Sequence, residues 1–276
     1  MLGSGWCDGA AVSGVNGYAF WPLPGSRAFA IAPVALRNRA WQQALFPPFF
    51  CGFLRVTKTL QFLLLFLPWG LRRRALTAFF SYQIDPSARI GWAWVYPKRL
   101  HLGPGAQIGH LSVCKGLSEL RLEAHATIGR GNWITGFPAG HARHFAHEPG
   151  REPVLILEEH AAVTNRHLID CTNRVTIGAF STVAGFGTQI LTHSIDMASN
   201  RQSSRPVQIG RYCFVGTASV LLGGAWLPDY CVLGAMSLLR EALPQTHTLY
   251  GGVPARAIKR LDTHMAYFLR ERGYVD

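Results

Sequence analysis

The clearest pattern in this chain is an aliphatic residue at every sixth position between Ile209 and Leu239. A glycine often follows this residue, and a small residue lies four positions after it. A period of six matches neither the 3.6-residue period of a helix nor the two-residue alternation of a strand. It fits a coil of three short strands, each pointing one aliphatic side chain inward, so the pattern predicts a β-helix. The six aliphatic positions are Ile209, Val215, Leu221, Leu227, Leu233 and Leu239.

The same six-residue frame extends back to Ile84, with slips and two interruptions. Residues 136–153 and 192–206 break the period and are predicted to be inserted loops. Tyr96 is predicted to hold the frame between two aliphatic members. We therefore expect the β-helix to span residues 83–261. Its upstream aliphatic members are Ile84, Ile90, Leu102, Ile108, Leu122, Ile128, Ile134, Leu157, Val163, Ile169, Ile177 and Val183.

Three segments lie outside the repeat. Residues 1–36 are rich in Gly, Ala and Pro without a clear period, and we expect this extension to be poorly ordered. Residues 37–82 form an apolar, basic segment that is predicted to be helical. Its most apolar run, residues 59–71, is shorter than the roughly 20 residues needed to span a bilayer. Residues 262–276 are predicted to form a short C-terminal helix with Met265, Phe268 and Leu269 on one side.

Charge changes the interpretation of residues 37–82. The chain has a net charge of +12, and residues 1–80 contain eight Arg or Lys residues and one acidic residue. We find no nucleic-acid-binding module, whereas an anionic membrane surface suits basic residues beside apolar ones. Two interpretations remain: the segment lies on a membrane, or its helix packs against one end of the β-helix. A transmembrane span is the least favoured alternative.

The cysteines and the N-terminus indicate the compartment. The six cysteines show no CxxC motif, and Cys213 and Cys231 occupy small-residue positions of the repeat, which is typical of packed thiols in a reducing compartment. The N-terminus lacks the basic region and apolar run of a signal peptide. The predicted location is the cytoplasm, with peripheral contact at the inner face of the membrane.

The repeat resembles the hexapeptide-repeat acyltransferases, which include galactoside, maltose, serine and capsule-sugar O-acetyltransferases. The most specific stretches are residues 192–202, 209–239 and 251–261. The last, GGVPARAIKRL, is similar to a closing Gly-Asn-Pro-Ala-Lys motif, with Val253 for the usual Asn and Arg256 for the usual Lys. Within the family, the chain looks closest to exopolysaccharide acetyltransferases of the colanic-acid type. The resemblance implies an all-β, left-handed parallel β-helix, a homotrimer and acetyl-CoA as acyl donor, with no metal.

The resemblance also implies residue roles for acetyl transfer to a sugar or glycolipid hydroxyl, which requires a base for the alcohol proton. His193 lies about where related sugar acetyltransferases carry their catalytic histidine, and a neutral imidazole near pH 7 suits that task. Asn165 resembles an Asn that faces the acceptor sugar, and it is predicted to be catalytic together with His193. Asp170, Asp196 and Arg201 are candidate acceptor contacts. For each, an ordinary turn or solvated loop residue is the alternative.

The resemblance further implies that coenzyme A binds along the last coils. Backbone amides near the glycines are predicted to bind pantetheine, because glycine lets a ligand approach closely. An aromatic residue is predicted to lie against that arm, and basic residues near the end of the coil suit the nucleotide phosphates. Solvated surface cations are the alternative for the basic residues. The predicted set is Phe214, Gly216, Thr217, Gly234, Ala235, Arg240, Arg256 and Lys259.

Two other functional classes remain open. His141, His144 and His147 recur at three-residue spacing beside Glu148, a pattern that a turn could gather into a metal site. The γ-type carbonic anhydrases use a β-helix with histidine-bound metal, but their histidine-bearing repeat motifs are not found here, and a solvated loop is favoured. The other class is a non-catalytic β-helix scaffold.

Overall fold

The computed structural model describes residues 58–141 and 143–275. The predicted extension 1–36 and the first part of the apolar, basic segment lie outside the described residues. Within the described ranges, residues 58–64 are helical, α1 spans Trp69–Phe80 and α2 spans Ala266–Leu269. None of the described helices combines the length and the apolar character needed to cross a membrane.

Short strands form most of the remaining structure. In chain order they are β1 (Gln83–Ile84), β2 (Arg89–Ile90), β3 (Trp94–Tyr96), β4 (Arg99–Leu102), β5 (Gln107–Ile108), β6 (Val113–Lys115), β7 (Glu119–Leu122), β8 (Thr127–Ile128), β9 (Trp133–Thr135), β10 (Val154–Leu157), β11 (Ala162–Val163), β12 (Leu168–Asp170), β13 (Val175–Ile177), β14 (Thr182–Val183), β15 (Gln189–Leu191), β16 (His193–Asp196), β17 (Arg201–Ser204), β18 (Val207–Ile209), β19 (Phe214–Val215), β20 (Val220–Leu222), β21 (Trp226–Leu227), β22 (Val232–Leu233), β23 (Leu238–Leu239), β24 (Thr248–Gly251) and β25 (Arg256–Arg260).

These strands build three parallel sheets that the chain visits in turn. The first sheet has the order β1-β4-β7-β10-β13-β18-β21, and the third has the order β3-β6-β9-β12-β15-β20-β23. The second begins β2-β5-β8-β11-β14-β19-β22 and ends with β24 and the antiparallel β25. Ile209 pairs with Leu227, and Leu221 with Leu239, so one coil takes 18 residues. The predicted left-handed parallel β-helix of hexapeptide repeats is confirmed.

The interior of the coil consists of the residues that the sequence pattern selects. Every aliphatic member of the predicted frame is at most 8% exposed, and most are fully buried. Cys213 and Cys231 are buried as well. Tyr96 is the exception, because Val95 pairs with Cys114 and fills the interior position of that strand. The ring of Tyr96 instead lies outside the coil, where its hydroxyl donates to the Gln61 carbonyl at 2.8 Å.

The helical region after residue 58 packs against the first coil. Leu64 and Leu76 are buried there. Arg72 is 2% exposed, and its guanidinium group donates to the carbonyls of Gly91 and Ala93, each at 2.8 Å. These carbonyls belong to the first coil, and no earlier coil among the described residues supplies donors to them. Over residues 58–80, the structure therefore supports helix packing, and Arg72 is not a surface cation.

The same region leaves apolar side chains on its outer side. Phe62 is 53% exposed and Phe66 is 62% exposed, and the Phe66 ring contacts Trp92 with centroids 6.3 Å apart. Isolated exposed apolar residues are ordinary, but a contiguous group indicates contact with another apolar surface. The exposed members of this group, here called the apolar face, are Phe62, Leu63, Phe66, Leu67, Leu71, Phe79, Trp92 and Leu111.

The C-terminal helix is shorter than predicted, because the tail packs along a column of stacked rings. The column lies at the corner between the first and second sheets, with neighbouring centroids 4.6 to 5.3 Å apart. Arg270 donates to the Phe180 carbonyl and stacks on Tyr267, and Phe268 is buried. These contacts hold the tail mostly irregular, so α2 is a single turn. The stacked residues are His125, His160, Phe180, Tyr212, Tyr230 and His247.

Candidate active site at one corner of the coil

Both predicted insertions leave the coil at the same corner, between the third and first sheets. Residues 136–153 join β9 to β10, and residues 192–206 join β15 to β18, two coils further on. The second insertion is an antiparallel hairpin, β16 with β17, in which His193 pairs with Ser204. Because all coils are stacked in register, the two insertions are brought to one side of the molecule.

His193 and Asp170 form the central contact at this corner. Asp170 ends β12, and Leu191 of the next coil pairs with it, so residues 192 and 193 emerge directly beside the carboxyl group. His193 Nδ1 lies 2.7 Å from Asp170 Oδ2, and the His193 amide donates to the same oxygen at 3.2 Å. The imidazole side chain is 42% exposed, so its other nitrogen can reach a ligand.

Asp170 is a buried carboxylate with both oxygens engaged. It is 6% exposed; Oδ1 accepts from the Thr172 amide and hydroxyl, and Oδ2 accepts from the Thr192 amide and hydroxyl as well as from His193. Burial alone would raise its pKa, but hydrogen bonds from His193, Thr172 and Thr192 outweigh burial and hold the pKa below its usual value. These contacts favour a positioning role for Asp170 over the predicted contact with acceptor.

Asp170 affects both the pKa of His193 and the position of the proton on its ring. The hydrogen bond from His193 to Asp170 raises the pKa of His193, whereas partial burial acts in the opposite direction. Since an ionised carboxylate only accepts hydrogen bonds, Nδ1 carries a proton and the lone pair of the neutral ring lies on Nε2. The arrangement provides an oriented base of the kind used in general-base catalysis.

The first insertion supplies residues that the sequence analysis missed. Phe145 is buried, and its ring makes an edge contact with His193, with centroids 6.2 Å apart. The Arg151 guanidinium group is buried 4.4 Å from the Phe145 ring centroid, where Nη1 donates to the Phe137 and Thr172 carbonyls at 2.5 Å each. A buried arginine is rarely left unpaired, but nothing in the local sequence indicates which carbonyls it meets.

A second contact joins the two insertions. Glu148 Oε1 accepts from the Ser204 amide at 3.0 Å, and Oε2 accepts from the Ser204 hydroxyl at 2.6 Å. Ser204 is the strand partner of His193. The first insertion was expected to be a solvated loop. His141 and His147 are exposed, as expected for a solvated loop. Phe145 and Arg151 are buried and anchor the loop to the site.

A cavity of about 490 Å³ lies between the two insertions. Phe145 lines this cavity, and its ring also makes the edge contact with His193. Of the predicted acceptor residues, Arg201 borders this cavity, and Gln202 is a neighbour that the sequence analysis missed. The lining residues are Arg143, His144, Phe145, Ala146, His147, Asn200, Arg201 and Gln202.

Two predicted acceptor residues lie apart from the His193–Asp170 pair. Asn165 is exposed at the corner between the second and third sheets, where its side-chain oxygen accepts from the Arg130 amide at 2.7 Å. Asp196 lies near the hairpin turn, and its oxygens accept from the Ala198 amide and the Ser199 hydroxyl. The Asn165 contact joins two neighbouring coils, the Asp196 contacts stabilise its own turn, and neither side chain contacts His193.

The predicted pantetheine site needs a correction. The amide of Gly216 donates to the Leu233 carbonyl, and that of Gly234 donates to the Tyr250 carbonyl, each at 2.8 Å, so neither faces a ligand. A Cβ on Gly216 would lie 2.5 Å from the Ala235 amide nitrogen, which shows that coil stacking requires glycine there. The Thr217 hydroxyl donates to the Phe186 carbonyl, and Ala235 is exposed.

The remaining predicted donor-binding residues lie around the last coils. The half-buried Phe214 ring meets Tyr267 edge-on, with centroids 6.0 Å apart, so the C-terminal tail covers part of its surface. Arg256 and Lys259 are exposed on β25. Arg256 lies 3.2 Å from Glu241, which follows the exposed Arg240 in the chain. Arg240 follows β23, and Arg256 and Lys259 lie on β25, so all three belong to the last part of the coil.

The histidines of the first insertion do not form a metal site within the part of the chain that the structure describes, which contains no group of three His, Cys, Asp or Glu residues able to hold an ion. His141 Nδ1 accepts from the amides of Arg143 and His144. His147 lies 3.7 Å from Glu148.

Comparisons with known proteins give matches among solved structures only; no protein-family profile and no curated protein matches. The chain is similar to AntD, an N-acyltransferase from Bacillus cereus solved with dTDP and coenzyme A (15% identity, 65% of this chain and 84% of that one, TM-score 0.44). It is similar to the polysialic acid O-acetyltransferase OatWY (15% identity, 65% of this chain and 84% of that one, TM-score 0.46). A third similar structure is a hexapeptide-repeat acetyltransferase from Vibrio cholerae in complex with acetyl coenzyme A (21% identity, 57% of this chain and 72% of that one, TM-score 0.36). All three of these proteins are described as acyltransferases.

Proposed function

We propose that this protein is an O-acetyltransferase that moves an acetyl group from acetyl-CoA to a hydroxyl of a sugar. The observation that carries the proposal is the His193–Asp170 pair, with 2.7 Å between Nδ1 and Oδ2. It lies at the corner of the coil from which both insertions emerge. A buried carboxylate that orients a partly exposed imidazole is the arrangement that general-base catalysis needs. The resemblance of the repeat to sugar acetyltransferases supplies the reaction class.

In this mechanism, Nε2 of His193 takes the proton of the acceptor hydroxyl as the oxygen attacks the thioester carbonyl. The C–O bond forms, the C–S bond breaks, and coenzyme A leaves as a thiolate that takes up the proton from the imidazolium. Asp170 stabilises the imidazolium and holds the ring in place. No covalent acyl-enzyme is formed.

For the donor, the exposed cations Arg240 and Lys259 suit the nucleotide phosphates of coenzyme A, and Arg256 joins them when it exchanges its ion pair with Glu241 for a phosphate. The pantetheine arm is proposed to pass Thr217 and Ala235, since the amides of Gly216 and Gly234 are engaged in the coil. Asn165 is proposed to face the acceptor from a neighbouring subunit, because it lies away from its own His193. This assignment needs more than one subunit, and we propose a homotrimer. Its mass in solution would be three times the chain mass of 30.4 kDa.

We further propose that the acceptor is lipid-linked and that the protein contacts a membrane peripherally, at the inner face. The support is the apolar face at the first coil together with the exposed basic residues Lys58 and Arg74 of the same region. Charge beside exposed aromatic and aliphatic side chains suits an anionic lipid surface.

The first test is calorimetric binding of acetyl-CoA to the wild type, to Arg256→Ala/Lys259→Ala and to His193→Ala. We expect micromolar binding that weakens in the double variant and persists in His193→Ala, because His193 acts on the acceptor. Acetyl transfer to a panel of sugars should then be lost in His193→Ala. Absence of acetyl-CoA binding at millimolar concentration would contradict the donor, and full activity of His193→Ala would point to a scaffold or another base.

A further inference from the structure

The cavity between the two insertions has an excess of positive charge. Arg143 is contributed by the first insertion and Arg201 by the hairpin, and both are exposed. Within residues 58–141 and 143–275, no carboxylate lies within 4.0 Å of either guanidinium group. His144 and His147 add two imidazoles to the same lining.

The acidic side chains Glu148 and Asp196 of the two insertions bind other partners. Both oxygens of Glu148 accept from Ser204, and Asp196 accepts from Ala198 and Ser199 although Arg201 is its partner in the strand register. An opposing carboxylate would have neutralised the arginines. Instead, two guanidinium groups from different insertions border one space, an arrangement suited to an oxyanion that accepts hydrogen bonds from both.

Gln202 adds a polar group of another kind. Its side-chain oxygen is buried, and it has no hydrogen-bond partner within the described ranges. Gln202 pairs with Ile195, two residues beyond His193 on the facing strand, and it borders the cavity. A buried acceptor without a donor is costly, so rotation of the amide toward the cavity, where a ligand hydroxyl group can donate to it, would be stabilising. A ligand that carries both hydroxyl groups and an oxyanion is an acidic sugar.

We propose that this cavity binds the anionic group of the acceptor, so that the substrate is a sugar with a phosphate or carboxylate near the hydroxyl that is acetylated. The proposal rests on acetyl transfer to a sugar as the function of the site. The oxyanion lies against Arg143 and Arg201, a sugar hydroxyl donates to Gln202, and the reacting hydroxyl lies beyond Phe145 at His193 Nε2.

The test is calorimetry with two probes, inorganic pyrophosphate for a phosphate-linked carrier and glucuronate for a carboxylated sugar. They are titrated into the wild type, Arg143→Gln/Arg201→Gln, and Arg89→Gln, which changes the charge at an exposed strand position elsewhere. We expect one probe to bind at least tenfold more weakly to the double variant than to the wild type and Arg89→Gln. The probe that responds identifies the source of the anion.

Acetyl-CoA is titrated into the same three proteins to separate the two proposals. Unchanged acetyl-CoA binding in Arg143→Gln/Arg201→Gln, with weakened probe binding, supports an acceptor subsite. If neither probe depends on the two arginines, or if acetyl-CoA affinity falls as much as probe affinity, the subsite is overturned while the transferase function stands. If the wild type binds a probe through the arginines but does not bind acetyl-CoA, the anion site stands and the proposed function fails.

Discussion

At the scale of single residues, the pair His193 and Asp170 determines how the site responds to pH. A base works in its neutral form, so activity rises as the pH passes upward through the pKa of His193, and the hydrogen bond to Asp170 raises that pKa. Asp170→Asn keeps the size of the side chain and removes its charge. We expect the pKa of His193 to fall, the acidic limb of the kcat/KM profile to move to lower pH, and the maximal rate to drop about 100-fold or more.

An NMR titration of the His193 ring measures the pKa change directly and does not depend on the acceptor. Asp196→Asn is the matched control, because the carboxylate of Asp196 binds only its own turn. An unchanged pKa of His193 in Asp170→Asn would contradict the positioning role, whatever the rate does.

His167 makes a separate prediction about acid stability. It is 2% exposed, its Nδ1 accepts from the Thr188 amide at 3.1 Å, and burial lowers its pKa to about 4. The unfolded chain binds a proton near pH 6.5, so stability falls as the pH drops from about 6.5 to 4, by on the order of 3 kcal/mol. Urea unfolding of His167→Gln should show a shallower loss over this interval than wild type. Equal slopes would contradict this assignment.

At the scale of structural elements, the first insertion depends on Arg151. Its guanidinium group bridges the carbonyls of Phe137, Pro138 and Thr172, which a lysine ammonium cannot reach together. We expect Arg151→Lys to lower the free energy of unfolding by about 1–3 kcal/mol, since buried acceptors lose donors. Limited proteolysis should cleave residues 139–150 faster in this variant. Arg143→Lys, on the exposed side of the same insertion, is the control, and equal cleavage of both would contradict the anchoring role.

The elements themselves show which features were predictable from sequence. The period of six selects interior residues because each strand contributes one inward side chain, and this is a local property of the chain. The pattern was wrong at Tyr96, where Val95 faces the interior and an aromatic residue stands beside it. A slip of one residue moves a side chain to the other face of a strand, and composition alone does not decide between the two.

The candidate site was only partly predictable, because its contacts depend on coil stacking. His193 was identified from its place in the second insertion. Its partner Asp170 is 23 residues earlier in the chain, and only the register of β12 with β15 brings them together. The contact of Phe145 with His193 requires two insertions that lie two coils apart to leave at one corner. No local pattern encodes such a contact.

At the scale of the described molecule, three surfaces with different chemical character lie at different positions along the coil. The helical region and the first two coils carry the apolar face, the middle coils carry His193 and the two insertions, and the end of the coil carries Arg240, Arg256 and Lys259. An acceptor held at a membrane surface would approach from the first coil, whereas the proposed donor cations lie at the other end. The two substrates would therefore reach the corner from different directions.

This arrangement predicts that Phe62→Ser/Phe66→Ser lowers membrane binding. Each exposed phenylalanine would contribute about 1.5–3 kcal/mol if fully buried in the interface, so the double variant should bind anionic vesicles at least tenfold more weakly in sedimentation assays. Leu269→Ser is the matched control, since Leu269 is 62% exposed, as Phe66 is, but lies in the C-terminal tail. Vesicles of neutral lipid should bind the wild type more weakly, because Lys58 and Arg74 lose their counter-charge. Equal binding of both variants, or a wild type that does not sediment with either vesicle, would contradict membrane contact through the apolar face and leave that surface for a protein partner.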